Sequence, residues 1–442
     1  MNHRLSFMVH RPKMKRILTI LALLFAIAGI ILAVSFFAPL PIPYYQDFSV
    51  TYFTNQGLLN GIPIYDYPAQ LAFVKTLTPA SFTFHPYPYP PWYALATIYL
   101  GLIPIETSAR MWFFLNLAMI GGAAWLLTPG WKAIPRILGA FAAIMFIPAF
   151  GLLIVGQYSA PVLLGAALFI WSARKKSAAW AAVALLLMTF KPHIGGILFL
   201  AGLGWLLCHC EPPMLFRRRS NLPLNGGLPR SPGLDTCTGV RRKCTPQRTW
   251  GYSTNGSLAM TAFARRAIWL TIFGGLFLAA FGFLADPAWP LTYLQSLGRY
   301  RDIPGVQTCG LCASMSVALV RVATGQSNTG MAAWVSLVLA IGVGILLYGR
   351  YRTYLKDPAI LTALSAILTL LLDPYLLNYD YILLLVPLFW LVRKERLAAL
   401  VYFIPWAALA LGRDGNLLLP VAALLLLTIL WKKRDILLLL PV

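Results

Sequence analysis

Residues 13–38 read KMKRILTILALLFAIAGIILAVSFFA, a basic cluster followed by a run from Ile17 to Ala38 without a single charge. A helix needs about 20 apolar residues to cross the hydrocarbon of a bilayer, and this run supplies them. Polar and apolar residues do not alternate along it, so it does not read as a barrel strand. As a helix it satisfies its own backbone in lipid. Lys13, Lys15 and Arg16, with Arg4 and Arg11 before them, mark the near side as cytoplasmic. A signal peptide has the same layout, but the run is long and no small-residue cleavage pattern follows. A retained anchor is expected.

Comparable runs recur through all 442 residues, of which 59% are hydrophobic and 11% charged. Soluble domains carry about a quarter charged residues. One all-α polytopic membrane domain is therefore expected, rather than the two or three soluble domains that length alone suggests. The net charge of +23 invites a nucleic-acid partner. The bases, however, sit in short clusters beside apolar runs, as the positive-inside rule requires, and nucleic acid is set aside.

Those clusters fix the threading. Placing Lys132/Arg136, Arg174-Lys175-Lys176, Arg217-Arg218-Arg219, Arg350/Arg352/Lys356, Arg393-Lys394/Arg396 and Lys432-Lys433-Arg434 on the cytoplasmic side predicts about twelve spans. They fall near 17–38, 111–127, 137–155, 160–172, 178–190, 194–208, 267–285, 330–348, 358–372, 379–392, 397–411 and 417–431, in a multi-pass protein of the cell membrane with both termini inside. Two short apolar stretches, Trp92 to Pro104 and Leu311 to Val322, must then lie at the outer surface or re-enter. The chain divides into a membrane half 1–208 with an outer loop 39–91, a basic insertion 209–266, and a second membrane half 267–442. The insertion mixes Arg and Lys with Pro, Gly, Ser and Asn. It reads as a disordered cytoplasmic segment that touches anionic membrane lipids rather than as a seat of chemistry.

Cys309 and Cys312 form a CxxC on the outer side, where a local disulfide is open to them. Cys208, Cys210, Cys237 and Cys244 match no standard zinc spacing and read as incidental thiols. No Asp-x-Asp pair or histidine cluster appears, so neither a metal nor a cofactor is expected.

Candidate chemistry gathers on the outer side. The first outer loop contains Tyr44-Tyr45-Gln46-Asp47-Phe48, then Asn60-Gly61-Ile62-Pro63-Ile64-Tyr65-Asp66, then Tyr87-Pro88-Tyr89-Pro90-Pro91. A carboxylate such as Asp47 at the membrane face is costly unless partnered or used. It reads either as a helix cap or as a base that takes a proton from a hydroxyl. Gly156-Gln157, Lys191-Pro192-His193, Asp373-Pro374-Tyr375 and Tyr379-Asp380-Tyr381 follow in order. Gln157 reads as a helix cap, and Lys191 as a snorkelling helix end. Arg299 and Arg301, outside against the usual bias, fit a phosphate or a lipid headgroup.

Taken in sequence, these fragments resemble the polyprenol-phosphate-sugar-dependent GT-C glycosyltransferases, and most of all glycosyltransferase family 87. The resemblance spans roughly residues 17 to 392 without the insertion. It implies a GT-C-like bundle, a polyprenyl-phosphate donor of a hexose, mannose being the commonest expectation, and an extracytoplasmic lipid or glycan acceptor. It makes Asp47 the catalytic base and Lys191 a contact for the donor phosphate. Gln157, His193, Asp380, Asp66 and His85 become substrate-contact candidates. Tyr375 departs from a family pattern that often has His after the Pro. Two rival readings stand beside this one. A secondary transporter or flippase would show ionisable residues near helix centres and inverted repeats, and an inactive relative would only bind lipid.

Overall fold

The computed structural model describes residues 47–208, 210–211, 259–309, 312–351, 356–393, 395–412 and 414–432. The opening run 17–38, most of the basic insertion with Cys237 and Cys244, and the residues after Lys432 lie outside them. Among the described residues regular structure is helical, apart from a two-residue antiparallel ladder pairing Cys210–Glu211 with Ala259–Met260. Among the described residues three helices are long and apolar enough to cross a membrane: Ile105–Leu127, Ala262–Gly282 and Gly415–Lys432. The bent pair Ala133–Ile144 and Ile147–Val155 makes a fourth if counted as one span. Shorter apolar helices, among them Pro192–Cys208 and Pro358–Leu372, complete the set.

Local chemistry explains where these helices begin and end. The run 137–155 reads as one straight span, yet the chain bends by 56° between the two helices there. Pro148 lacks an N–H and suits a first helical turn, so it opens a new helix just after Met145 ends the previous one. The preceding span starts at Ile105 rather than 111, because Glu106 suits the positive end of the helix dipole. Thr261 starts another helix ahead of 267, its hydroxyl accepting the Ala264 N–H at 3.1 Å.

Two cores result. The larger is aliphatic. In it the helix Ser159–Lys175 packs against Ile105–Leu127 and Ala178–Met188, while Pro192–Cys208 packs against Pro358–Leu372. The smaller is aromatic and gathers Phe48, Tyr52, Tyr65, Tyr87, Tyr89, Tyr93, Trp112 and Tyr158. Its rings meet edge-on or tilted, Tyr93 and Tyr158 edge-on with centroids 4.7 Å apart, and Tyr65 donates its hydroxyl to the Tyr89 carbonyl at 2.7 Å. Such packing buries large apolar areas. It seats the first described helix, Asp47–Leu59, against the interior.

Gly156 joins the two cores. It ends Ile147–Val155 in the left-handed region at φ +73°, its N–H on the Leu152 carbonyl at 2.9 Å, while its own carbonyl accepts the Trp112 indole N–H at 2.9 Å. A Cβ added there would lie 2.6 Å from the Phe48 Cβ. Gly156→Ala is thus expected to cost at least about 2 kcal/mol, from backbone strain plus the clash. A lower thermal midpoint in detergent checks this.

The segment after Ala262–Gly282 is no simple loop. Asp286 is buried and accepts the Ala288 N–H at 2.8 Å and the Thr292 hydroxyl at 2.9 Å, which starts the helix Trp289–Arg301. Beyond it Cys309 and Cys312 form a disulfide. Cys312 pairs with Leu377 in an isolated antiparallel bridge, and the Ala313 N–H donates to the Leu376 carbonyl at 2.8 Å.

Candidate active site

Because Gly156 turns the chain left-handed, the next residue leaves the helix axis, and Gln157 points its amide at Asp47. Gln157 Nε2 and Tyr379 Oη both donate to Asp47 Oδ2, the latter at 3.2 Å. Asp47 stands in the first turn of its helix, where a carboxylate is favoured by the dipole. Its backbone carbonyl accepts the Tyr158 hydroxyl at 3.4 Å.

Lys191 closes the arrangement from the other side. Pro192 opens the helix Pro192–Cys208 and holds the preceding residue out of helical geometry, so Lys191 sits in the break after Ala178–Met188. The Lys191 ammonium donates to Asp380 Oδ1 at 2.6 Å, to Ser159 Oγ at 3.1 Å and to Gln157 Oε1 at 3.2 Å. It also lies 4.9 Å from the Tyr379 ring centroid. Lys191 is 2% exposed and Asp380 0%, so this ion pair is buried.

Asp47, Gln157, Lys191 and His193 line one cavity of about 690 Å³. The rest of its wall includes Tyr89, Leu297, Tyr300, Asp302, Asn328, Tyr375 and Tyr379. Tyr300 and Tyr375 share a hydrogen bond between their hydroxyls at 2.9 Å, and the Tyr375 ring packs edge-on against His193. Acceptors, phenols and one cation thus face a space of small-ligand size.

The other sequence candidates lie elsewhere. Asp380 stands behind Lys191 and does not line the cavity. Asp66 is exposed and caps the helix Tyr67–Leu77, accepting the Ala69 N–H at 3.2 Å. Arg299 is exposed on Trp289–Arg301 and is absent from the cavity wall. The side chain of Arg301 lies outside the described set. Tyr89, Ser159, Tyr300 and Tyr379 contribute to the arrangement without having been singled out. Tyr89 and Tyr379 stand inside the quoted motifs, and Ser159 lies two residues after Gln157.

His85 is half-buried in the loop and does not line the cavity. Burial pushes its imidazole below the ordinary value, and the Asp47 carboxylate draws it partly back. With the folded value lowered, protonation favours the unfolded chain. Stability is fully present above the unfolded pKa and is expected to fall as pH drops below about 6.5. His85→Asn should flatten that fall in thermal midpoints measured across the range.

The family model of glycosyltransferase family 87 matches residues 87–216. The matched segment holds Tyr89, Gln157, Lys191 and His193, while Asp47 and Asp380 lie outside it and bond to residues within it. It is shorter than the resemblance read from the motifs. No curated protein matches the chain, and no solved structure does. Over residues 87–216 the chain is similar to glycosyltransferase family 87, which supports the resemblance carried by its motifs.

Proposed function

We propose that the chain is an inverting membrane glycosyltransferase that moves a hexose, mannose first among the candidates, from a polyprenyl-phosphate donor to a lipid or glycan hydroxyl on the extracytoplasmic side. The observation that carries the reading is the Asp47 carboxylate at a cavity of about 690 Å³, with both hydrogen bonds from described side chains ending on Oδ2. That pattern orients a carboxylate while sparing its other oxygen for a proton.

In this reading the acceptor hydroxyl oxygen attacks the anomeric carbon as Asp47 takes its proton. The bond from that carbon to the phosphate oxygen breaks, and its electron pair leaves with the polyprenyl phosphate. One displacement inverts the configuration. Lys191 reaches the cavity wall, but Asp380 shares its charge, so it offers the leaving phosphate a held rather than a free cation. His193 and the paired hydroxyls of Tyr300 and Tyr375 complete the polar wall, and Arg299 and Arg301 remain candidates for the outer phosphate or headgroup. Purified protein in proteoliposomes is expected to transfer labelled hexose from a polyprenyl-phosphate donor. Failure with every such hexose donor overturns the reading.

The extracytoplasmic side is supported by the Cys309–Cys312 disulfide, since such bonds persist in oxidising compartments. A topology test follows from two exposed positions, Asn60 in the loop and the free thiol of Cys208 at the far end of its helix. In intact cells a membrane-impermeant maleimide is expected to label Asn60→Cys and to reach Cys208 only after permeabilisation. The reverse pattern places the cavity in the cytosol and removes the proposed donor.

A further inference from the structure

The amide of Gln157 is a junction between two parts of the site. Its Oε1 accepts from Lys191 Nζ at 3.2 Å, from the Tyr158 backbone N–H at 3.3 Å and from Tyr89 Oη at 3.4 Å. Its Nε2 donates to Asp47 Oδ2. Rotating the amide by half a turn would set its NH2 group against three donors and its oxygen against a carboxylate, so one orientation is enforced. Behind the junction, Ser159 Oγ and Lys191 Nζ both donate to Asp380 Oδ1, and Asp380 Oδ2 accepts the Leu377 N–H at 3.2 Å. Asp380 is fully buried and does not line the cavity. A continuous chain of bonds therefore runs from Asp380 through Lys191 and Gln157 to Asp47.

We propose that Asp380 is a positioning residue: it anchors Lys191, the anchored ammonium orients the Gln157 amide, and that amide holds the Asp47 carboxylate in place. The catalytic meaning of this chain rests on reading Asp47 as the base. Its geometry does not. Without the Asp380 charge the buried ammonium has lost its counter-ion, and a buried charge left unpaired seeks another. The next carboxylate along the chain of bonds is Asp47, and reaching it requires Gln157 to give way.

A high-resolution structure of full-length Asp380→Asn in lipid nanodiscs tests the geometry. Lys191 is expected to turn toward Asp47 with Gln157 displaced. Retention of the Gln157–Asp47 bond, with Lys191 unmoved, overturns the proposal. In the transfer assay the same variant is expected to lose about a hundredfold in kcat, the scale of a misplaced catalytic group, with the donor KM nearly unchanged. Asp380→Glu should recover part of that loss. A raised KM at constant kcat would instead make Asp380 a substrate contact. Should Asp380→Asn fail to fold, a structure of Lys191→Met/Asp380→Leu takes its place. There Gln157 is expected to lose its single position against Asp47, and an unchanged position overturns the proposal. If wild-type protein transfers no sugar, the functional reading fails while the structures still decide the positioning claim.

Discussion

Asp47→Asn is expected to leave a folded protein whose sugar transfer is at least about a thousandfold slower, within the range general bases contribute. Asparagine has nearly the shape of aspartate, and its carbonyl oxygen still accepts from Gln157 and Tyr379, the two side chains that hold the carboxylate. The aromatic packing of the neighbouring Phe48 is untouched, so the thermal midpoint should stay close to that of wild type. Only basicity is removed. Because the proton moves in the transition state, the loss should fall on kcat, with donor affinity preserved. Steady-state kinetics with a polyprenyl-phosphate mannose donor measure both quantities. A wild-type rate would reject Asp47 as the base.

The second large effect concerns stability. Lys191→Met removes one partner of a buried pair 2.6 Å apart and leaves the Asp380 carboxylate uncompensated among apolar helices. Breaking a buried pair in this way typically costs about 3–5 kcal/mol, whereas replacing both partners by apolar groups is often neutral. Lys191→Met should therefore melt well below wild type, and Lys191→Met/Asp380→Leu should regain most of the difference. Thermal unfolding of the purified variants in one detergent reads this directly. Equal destabilisation of the single and double variants would show that the pair is not coupled.

Helix existence was legible because apolar length is a one-dimensional property. The run 358–372 folds as the helix Pro358–Leu372, and 178–190 as Ala178–Met188. Breaks within runs were less legible. Pro148 sits in the middle of an uninterrupted apolar stretch, and hydropathy does not separate a proline that kinks one helix from a proline that opens the next. The same holds at Pro405, where a 3-10 segment Arg396–Phe403 precedes Ile404–Ala410.

The site shows a matching division. Order along the chain grouped Asp47, Gln157, Lys191 and His193, and these four line one cavity. Depth was not legible. Asp380 and Lys191 looked like two ligand contacts, but their opposite charges and shared burial make them partners first. Asp66 stood out as a loop carboxylate, and its place at the start of Tyr67–Leu77 gives it a local capping bond instead. The phenols went unweighed because tyrosine is common at membrane interfaces. Only their convergence separates Tyr300 and Tyr379 from the rest.

The bond from Tyr379 to Asp47 joins residues 332 positions apart. A ribosome delivering this chain from its amino end releases Asp47 early, and that residue then waits for Tyr379 while the 332 positions between them are made. A truncated product that stops after residue 216 would contain everything the family match covers, yet it would lack both Tyr379 and Asp380. The bonds that Tyr379 and Asp380 make to Asp47 and Lys191 can therefore form only late in synthesis.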